Sequence, residues 1–279
     1  EGEDDIRIDA TASGLTAALG WGVVRIDHVD EGEQLIIAAH GGDDRLDASA
    51  VDRQVLELAL DGGAGDDLLV SGFGDETLLG GEGSDTIDYR ASDGNVAVDL
   101  GAERAAGGYA QGDVISSIEN VNGSGFSDVL TGSSETNVIK GGGGDDQIFG
   151  ITGNDAGNLI AGGGGNDVLR GLGGSDAFLF DTALIGAGNV DRILDFSSDN
   201  DIIRLDNDVF EGLAEGALAA GAVRAGRTAL QADDRILYDQ ASGALFYDAD
   251  GSGDGAAAVR FATLQPGAEL SAAEFLVVA

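Results

Sequence analysis

The 279-residue chain has no cysteine, no methionine, one proline, one tryptophan and only 14 lysines and arginines against 51 acids. Each shortage excludes something. Without cysteine there are no disulfides and no thiolate nucleophiles. The formal charge of −37 excludes nucleic acid and anionic membrane as electrostatic partners. No apolar run reaches membrane-spanning length, so membrane insertion is not expected. The only histidines, His28 and His40, cannot form an H-E-x-x-H zinc helix, and no G-x-S-x-G elbow occurs, so a non-enzymatic role is expected. No export leader opens the chain either, and because its first residue is Glu1 rather than Met the sequence leaves open whether a domain precedes it.

What is abundant is glycine, at 48 residues, much of it set in a nine-residue period. Segments 62–70 (GGAGDDLLV), 71–79, 80–88, 141–149, 162–170 and 171–179 share one frame. Looser copies lie at 123–131, 132–140 and, after Gly150, Ile151 and Thr152, at 153–161. The first half of each copy, G-G-x-G-x-D, is a turn that needs backbone without a Cβ. The second half, x-U-x, is a very short strand. Its apolar U residue (Leu69, Leu78, Ile87, Leu130, Ile139, Ile148, Ile160, Leu169, Phe178) points one way and its neighbours the other. Two repeats therefore make one coil with a strand on each of two facing sheets. Acids eighteen residues apart, Asp67 with Asp85 or Asp128 with Asp146, then stack along one edge.

One buried apolar side chain per nine ordered residues gives little stability, so the turns need another source of it. Carboxylates a strand spacing apart repel. A hard divalent cation that accepts carboxylate and carbonyl oxygens converts that repulsion into ligation, and calcium tolerates such an irregular shell better than Mg²⁺ does.

The nonapeptide G-G-x-G-x-D-x-U-x resembles the RTX (hemolysin-type) calcium-binding repeat. The resemblance implies an all-β fold, a parallel β-roll or β-solenoid with calcium-binding turns over 62–180, interrupted at 89–122. A degenerate solenoid segment, 1–61, precedes it, and a small, mostly-β capping and secretion-signal domain, 181–279, follows. The implied cofactor is Ca²⁺, several ions. Each is held by the carbonyls of positions two and four and the Asp of one repeat, and by the carbonyls of positions one and three and the Asp two repeats on. Carried over, one site uses Gly63, Gly65 and Asp67 with Gly80, Glu82 and Asp85. A second uses Asp128 with Gly141, Gly143 and Asp146, and a third joins Gly142, Gly144 and Asp146 to Gly162, Gly164 and Asp167. Gly163, Gly165, Gly171, Gly173 and Asp176 extend the ligand set, and Asp44 fits the frame more loosely. Glu76, Asn137 and Asn158 replace the Asp, and weak or empty sites are expected there.

The C-terminal region resembles the uncleaved targeting domain of type I secretion substrates. It implies a secreted, extracellular or cell-surface protein that engages the type I secretion machinery and folds on calcium outside the cell. A structural role follows as an expectation: surface layer, matrix, adhesin or self-assembling filament. The alternative is the folding and export module of an extracellular protease, lipase or epimerase whose catalytic domain is not in this chain.

Further expectations concern single stretches. Ile6 and Ile8 lie in a strand expected at an open sheet edge, where a neighbouring copy could pair. Gly101 to Gly112 reads as a protruding loop, Val209 to Val223 as helical, and 235–238 with 244–247 as a hairpin. Ser271 to Glu274 reads as a capping box. Asp248, Asp250 and Asp254 resemble half of an EF-hand loop, but Val259 stands at the twelfth position in place of Glu. Trp21 is expected in a core or end-cap, and His40 in a turn.

Overall fold

The computed structural model describes residues 2–11, 14–19, 22–26, 34–51, 57–151 and 156–279. Trp21 and His28 lie outside them, as do Val55 and Leu56 at the start of one expected strand. Among the described residues the protein is all-β: strands, four single-turn 3-10 segments and no α-helix. Glycine turns after every third or fourth strand residue leave no stretch long enough to propagate a helix. The chain divides into two compact units, Glu1–Ile139 and Lys140–Ala279.

In the first unit, one sheet runs in the order Gly22–Ile26, Gly14–Leu19, Asp5–Thr11, Arg45–Ala50, Leu68–Val70, Thr86–Asp88, Asn120–Asn122. The facing sheet runs Gln34–Ala38, Glu57–Ala64, Glu76–Glu82, Val114–Ser116, Arg104–Ala106, Ala97–Asp99, Val129–Thr131. The coils are parallel and in register on the apolar positions. Ile6 pairs with Leu46, Leu46 with Leu69, Leu69 with Ile87, and Ile87 with Val121. On the other sheet Leu60 pairs with Leu78 and Leu78 with Ile115. All nine U residues of the repeats are fully buried. The core is thus a stack of single side chains, one per strand.

The second unit repeats the scheme and then closes it. Leu159–Gly164, Ala177–Phe180, Ile202–Asp206 and Phe275–Val278 are parallel neighbours in one sheet, capped by the antiparallel pair Gly216–Ala217. In the other, Gln147–Phe149, Val168–Arg170, Asp191–Ile193 and Val259–Thr263 are parallel, and Ala244–Tyr247 and Ile236–Asp239 then turn antiparallel. Here the core changes character. Phe210 packs edge-on against Tyr247 (5.1 Å) and Phe261 (5.2 Å), and Phe261 against Phe180 (5.1 Å). Aromatic bulk replaces the single-residue stack where glycine turns end.

Three expectations change. The stretch 209–223 is not helical: it holds Gly216–Ala217 as strand and a 3-10 turn at Ala220–Ala222. Gly212 and Gly216 take φ of 85° and 103°, which no α-helix accommodates. The loop from Gly101 to Gly112 contains the strand Arg104–Ala106, which pairs antiparallel with Ala97–Asp99, so the interruption extends the sheet. Ile6 and Ile8 are not on an edge. Their strand is paired on both sides, they are 4% and 0% exposed, and Gly22–Ile26 is the edge strand of that sheet. The hairpin 236–247 and the capping box forms as read, with Ser271 and Glu274 bonding reciprocally at the start of Ala272–Glu274.

Candidate metal sites in the turns

In the first unit, the turns that lead from the second-named sheet into the first place their acids in one column. The Asp4 N–H donates to Asp44 Oδ1 (2.5 Å), Asp44 N–H to Asp67 Oδ1 (2.7 Å), Asp67 N–H to Asp85 Oδ1 (2.9 Å) and Asp85 N–H to Glu119 Oε2 (2.9 Å). Each carboxylate therefore satisfies the backbone of the coil before it. The other oxygen, Oδ2 of Asp44, Asp67 and Asp85, is buried with no hydrogen-bond partner. Native proteins seldom leave such an oxygen orphaned without an ion or water to meet it.

The surroundings of these oxygens are backbone. A Cβ on Gly62 or Gly80, the first residue of a repeat, would collide with Oδ2 of Asp67 or Asp85. The carbonyl oxygens of Gly63 and Gly65 face Gly81 and Gly83 of the next coil so closely that a Cβ there would overlap them. The same column continues upstream: the Gly42 carbonyl faces Gly65, and the Gly2 carbonyl faces Gly42. Glu82 pairs with Ala64, so its carbonyl lies in the same turn and accepts the Gly65 N–H (2.8 Å). Among the described residues, no three His, Cys, Asp or Glu side chains gather around one point. A cation in these turns would draw on carbonyl oxygens plus one or two carboxylates, an all-oxygen set that suits calcium.

Without a cation these acids hold protons more tightly than an ordinary carboxyl does. Burial, reinforced by the charges of Asp67 and Glu119, pushes Asp85 up to about 6. Burial also raises Asp67, with Asp44, Asp43 and Asp66 adding to it.

The second unit builds an equivalent column on its other set of turns. Asp146 N–H donates to Asp167 Oδ1 (2.7 Å) and Asp167 N–H to Asp191 Oδ1 (3.2 Å), and Asp167 Oδ2 is buried without a partner. A Cβ on Gly141 or Gly162 would strike Oδ2 of Asp146 or Asp167. Gly142 and Gly144 direct carbonyls at Gly163 and Gly165, and Gly143 and Gly164 end the strands that carry them. Burial, then the charge of Asp167, pushes Asp191 up to about 9. The Gly163 carbonyl already accepts the Thr182 hydroxyl (2.5 Å), which closes this column on its downstream side. In the opposite turns, Asp176 Oδ1 accepts from Asn158 N (2.8 Å) and Nδ2 (3.1 Å), and the Asp176 N–H donates to Asp201 Oδ1 (3.0 Å). Gly171 lies against Asp176 Oδ2, with Gly173 in the same turn.

Other acids named from the sequence are placed differently. Asp128 Oδ1 accepts from Val96 N (2.7 Å) and Ser124 Oγ (2.8 Å), and its Oδ2 from Ser124 N (2.6 Å), so both oxygens are engaged. Asn137 donates through Nδ2 to the Glu119 carbonyl (2.6 Å), an amide bridging coils directly. Asp250 folds onto its own loop, with Oδ2 accepting from Gly255 N (2.7 Å) and Ala256 N (3.2 Å), Asp248 accepting from Asp250 N (3.3 Å), and Asp254 exposed. The repeat frame did not reveal Asp4, Asp113, Glu119, Asp191 or Asp201. A simpler signal, an acid two residues before a buried apolar residue, marks all five: Asp4 before Ile6, Asp113 before Ile115, Glu119 before Val121, Asp191 before Ile193 and Asp201 before Ile203.

No curated protein matches the chain. Among solved structures, the AlgE6R2 subunit of the Azotobacter vinelandii mannuronan C5-epimerase is similar at 26% identity, TM-score 0.37, over 55% of this chain and 88% of that one. The extracellular lipase LipA of Serratia marcescens is similar at 17% identity, TM-score 0.35, over 90% of this chain, which spans 39% of the lipase. Both overlaps are loose, and the fold rests on the strand pairing above. Residues 59–87, 122–156 and 152–181 match the model of the RTX calcium-binding nonapeptide repeat, so this chain carries calcium-binding nonapeptide repeats on a β-roll.

Proposed function

We propose that the protein is a secreted, non-catalytic β-roll whose folding is switched on by calcium outside the cell, and that it serves there as a structural component of a surface layer, matrix, adhesin or filament. The observation that carries the calcium part is the column of buried, unpartnered Oδ2 atoms at Asp44, Asp67 and Asp85, set among stacked carbonyls. The ligands would be Gly63, Gly65, Asp67, Gly80, Glu82 and Asp85 in the first unit. In the second they would be Gly142, Gly144, Asp146, Gly162, Gly164 and Asp167. Bound there, the cation supplies positive charge between coils; the chain's own part is to hold carboxylates and carbonyls at one edge and to release protons as it binds. With a net charge of −37 the chain resists collapse until that charge is met, and extracellular calcium sites work at about 10⁻⁴–10⁻³ M.

The structural role is supported by the lack of enzyme motifs and by the edge strands Gly22–Ile26 and Gln34–Ala38, which another copy could extend. The same lack supports the rival reading, an export and folding module of a longer extracellular enzyme. Sequence upstream of Glu1 discriminates between them. The calcium reading is tested by circular dichroism in chelator and then in millimolar calcium. Strand signal should rise with calcium, and a strand content indifferent to calcium overturns the reading.

A further inference from the structure

The repeat 71–79 carries Glu76 where its neighbours carry Asp, and its turn is built unlike theirs. Ser71 Oγ lies 3.1 Å from Glu76 Oε2, 3.1 Å from Asp113 Oδ2 and 3.3 Å from the Gly72 carbonyl. Asp113 Oδ2 also accepts the Tyr89 hydroxyl (2.9 Å), and Asp113 Oδ1 accepts the Glu76 N–H (2.9 Å). The cluster is closed to water: Glu76 is 3% exposed, Asp113 7%, and Ser71 and Tyr89 0%. Neither carboxyl leaves a buried oxygen without a partner, in contrast to Asp67 and Asp85.

A count of hydrogens decides what the arrangement is. Ser71 has one hydroxyl hydrogen and three acceptor oxygens within reach. If both carboxyls were ionised, at least one carboxylate oxygen would face the Ser71 lone pairs in a site without water. We propose that this turn is closed by a shared proton in place of a cation: Glu76 is a neutral carboxylic acid donating to Ser71 Oγ, Ser71 donates to Asp113, and Asp113 stays a carboxylate. Asp113 is the charged partner because it collects three donors, the Glu76 N–H and the Ser71 and Tyr89 hydroxyls, while the Glu76 carboxyl meets the Ser71 hydroxyl, the Gly72 N–H and the Asp113 carboxyl itself. Burial first, then the Asp113 charge, pushes Glu76 up to about 8. Among the described residues, the charged groups on the neighbouring elements are of both signs: Asp75 lies against Gly112, Glu57 adjoins Leu58, which pairs with Glu76, Arg104 pairs with Val114 beside Asp113, and Asp88 is held by Arg90 (2.5 Å).

The strand Glu76–Glu82 thus starts at a turn closed without metal and ends at the Asp85 turn. The clamp stands whether or not calcium fills the latter, and folding takes up one proton here. The Glu76 carboxyl is raised in the folded state, so its contribution is fully present below the ordinary carboxylate range and is lost as pH rises through about 8. The test is Glu76→Gln in the full chain at saturating calcium. The wild-type folding constant should fall by about tenfold per pH unit more than the variant's between the ordinary carboxylate range and pH about 8. The infrared spectrum of the wild type minus that of the variant should show the C=O band of one protonated carboxyl at neutral pH. Equal pH slopes with no difference band overturn the proposal. Should the variant not fold, the carboxyl ¹³C shift of Glu76 in the wild type decides: titration near 8 supports the clamp, and titration in the ordinary carboxylate range sinks it.

Discussion

The two sets of turns in the first unit face one electrostatic problem and solve it in opposite ways. Along the Asp44, Asp67 and Asp85 turns, one oxygen of each acid holds the preceding backbone and the other is stranded among carbonyls. Along the Glu76 turn, two acids and two hydroxyls satisfy one another completely. A third solution appears at Asn137, where an amide spans the gap with its own hydrogens. Stacked acids in a parallel roll therefore need a positive partner at every rung, but a metal, a proton or an amide N–H can each serve. Glycine at the first position lets the sixth-position side chain press its oxygen against the backbone in the Asp67, Asp85 and Asn137 turns alike, whereas the Glu76 turn carries Ser71 there and uses its hydroxyl.

The contrast can be broken most severely by replacing Asp67 and Asp85 together with Asn. We expect the calcium midpoint for strand formation to rise by about tenfold or more, equivalent to about 1.4 kcal/mol or more, whereas Glu76→Gln leaves it in place. A calcium titration followed by circular dichroism reads both. Next in size is acid. Asp85 and Asp176 at about 6, Glu76 at about 8 and Asp191 at about 9 are all raised by burial in the metal-free fold. Their contribution to stability is present at low pH and is lost as pH climbs through those values. Chelated protein should gain strand signal as pH is lowered toward 5 and lose it toward 9; the opposite trend would contradict the burial of these groups.

A smaller effect is expected from Asn137→Asp. It removes the donor to the Glu119 carbonyl, sets a carboxylate against it and should cost about 1–3 kcal/mol in chelator by denaturant unfolding. Added calcium should recover part of that. Smallest is Leu172→Gly. Leu172 holds φ of 70° at a position where other repeats have glycine, and it is 42% exposed, so the substitution relieves strain with little burial lost. A gain of up to about 1 kcal/mol is expected from thermal melts.

How much of this was legible in the sequence follows from what each residue is bound to. The buried U column and the eighteen-residue coil could be read because both depend on local alternation and a fixed period: Leu69 over Ile87 and Leu60 over Leu78 are paired as that period demands. The inserted strand Arg104–Ala106 could not, since its place is set by the partner Ala97–Asp99 and not by its own pattern. The stretch 209–223 misled because Ala and Leu favour helix while Gly212 and Gly216 forbid it, and the glycines prevail. Asp113 was invisible as a partner of Glu76 because it lies 37 positions further along the chain, where the repeats use eighteen.

One feature of the ladder gives the stack a polarity. In the buried rungs, from Asp4 N–H to Asp44 through Asp176 N–H to Asp201, the acid belongs to the later coil and the N–H to the earlier one, whereas the exposed rungs one residue upstream, Asp66 N–H to Asp43, Ser84 N–H to Asp66 and Asn166 N–H to Asp145, run the other way. Each turn thus has a buried latch from the coil that follows it and an exposed one from the coil before. Trimming the roll from its C-terminal side would therefore strip the buried latch from the last remaining coil, while trimming from the other end would remove only the exposed one, whose N–H water can meet.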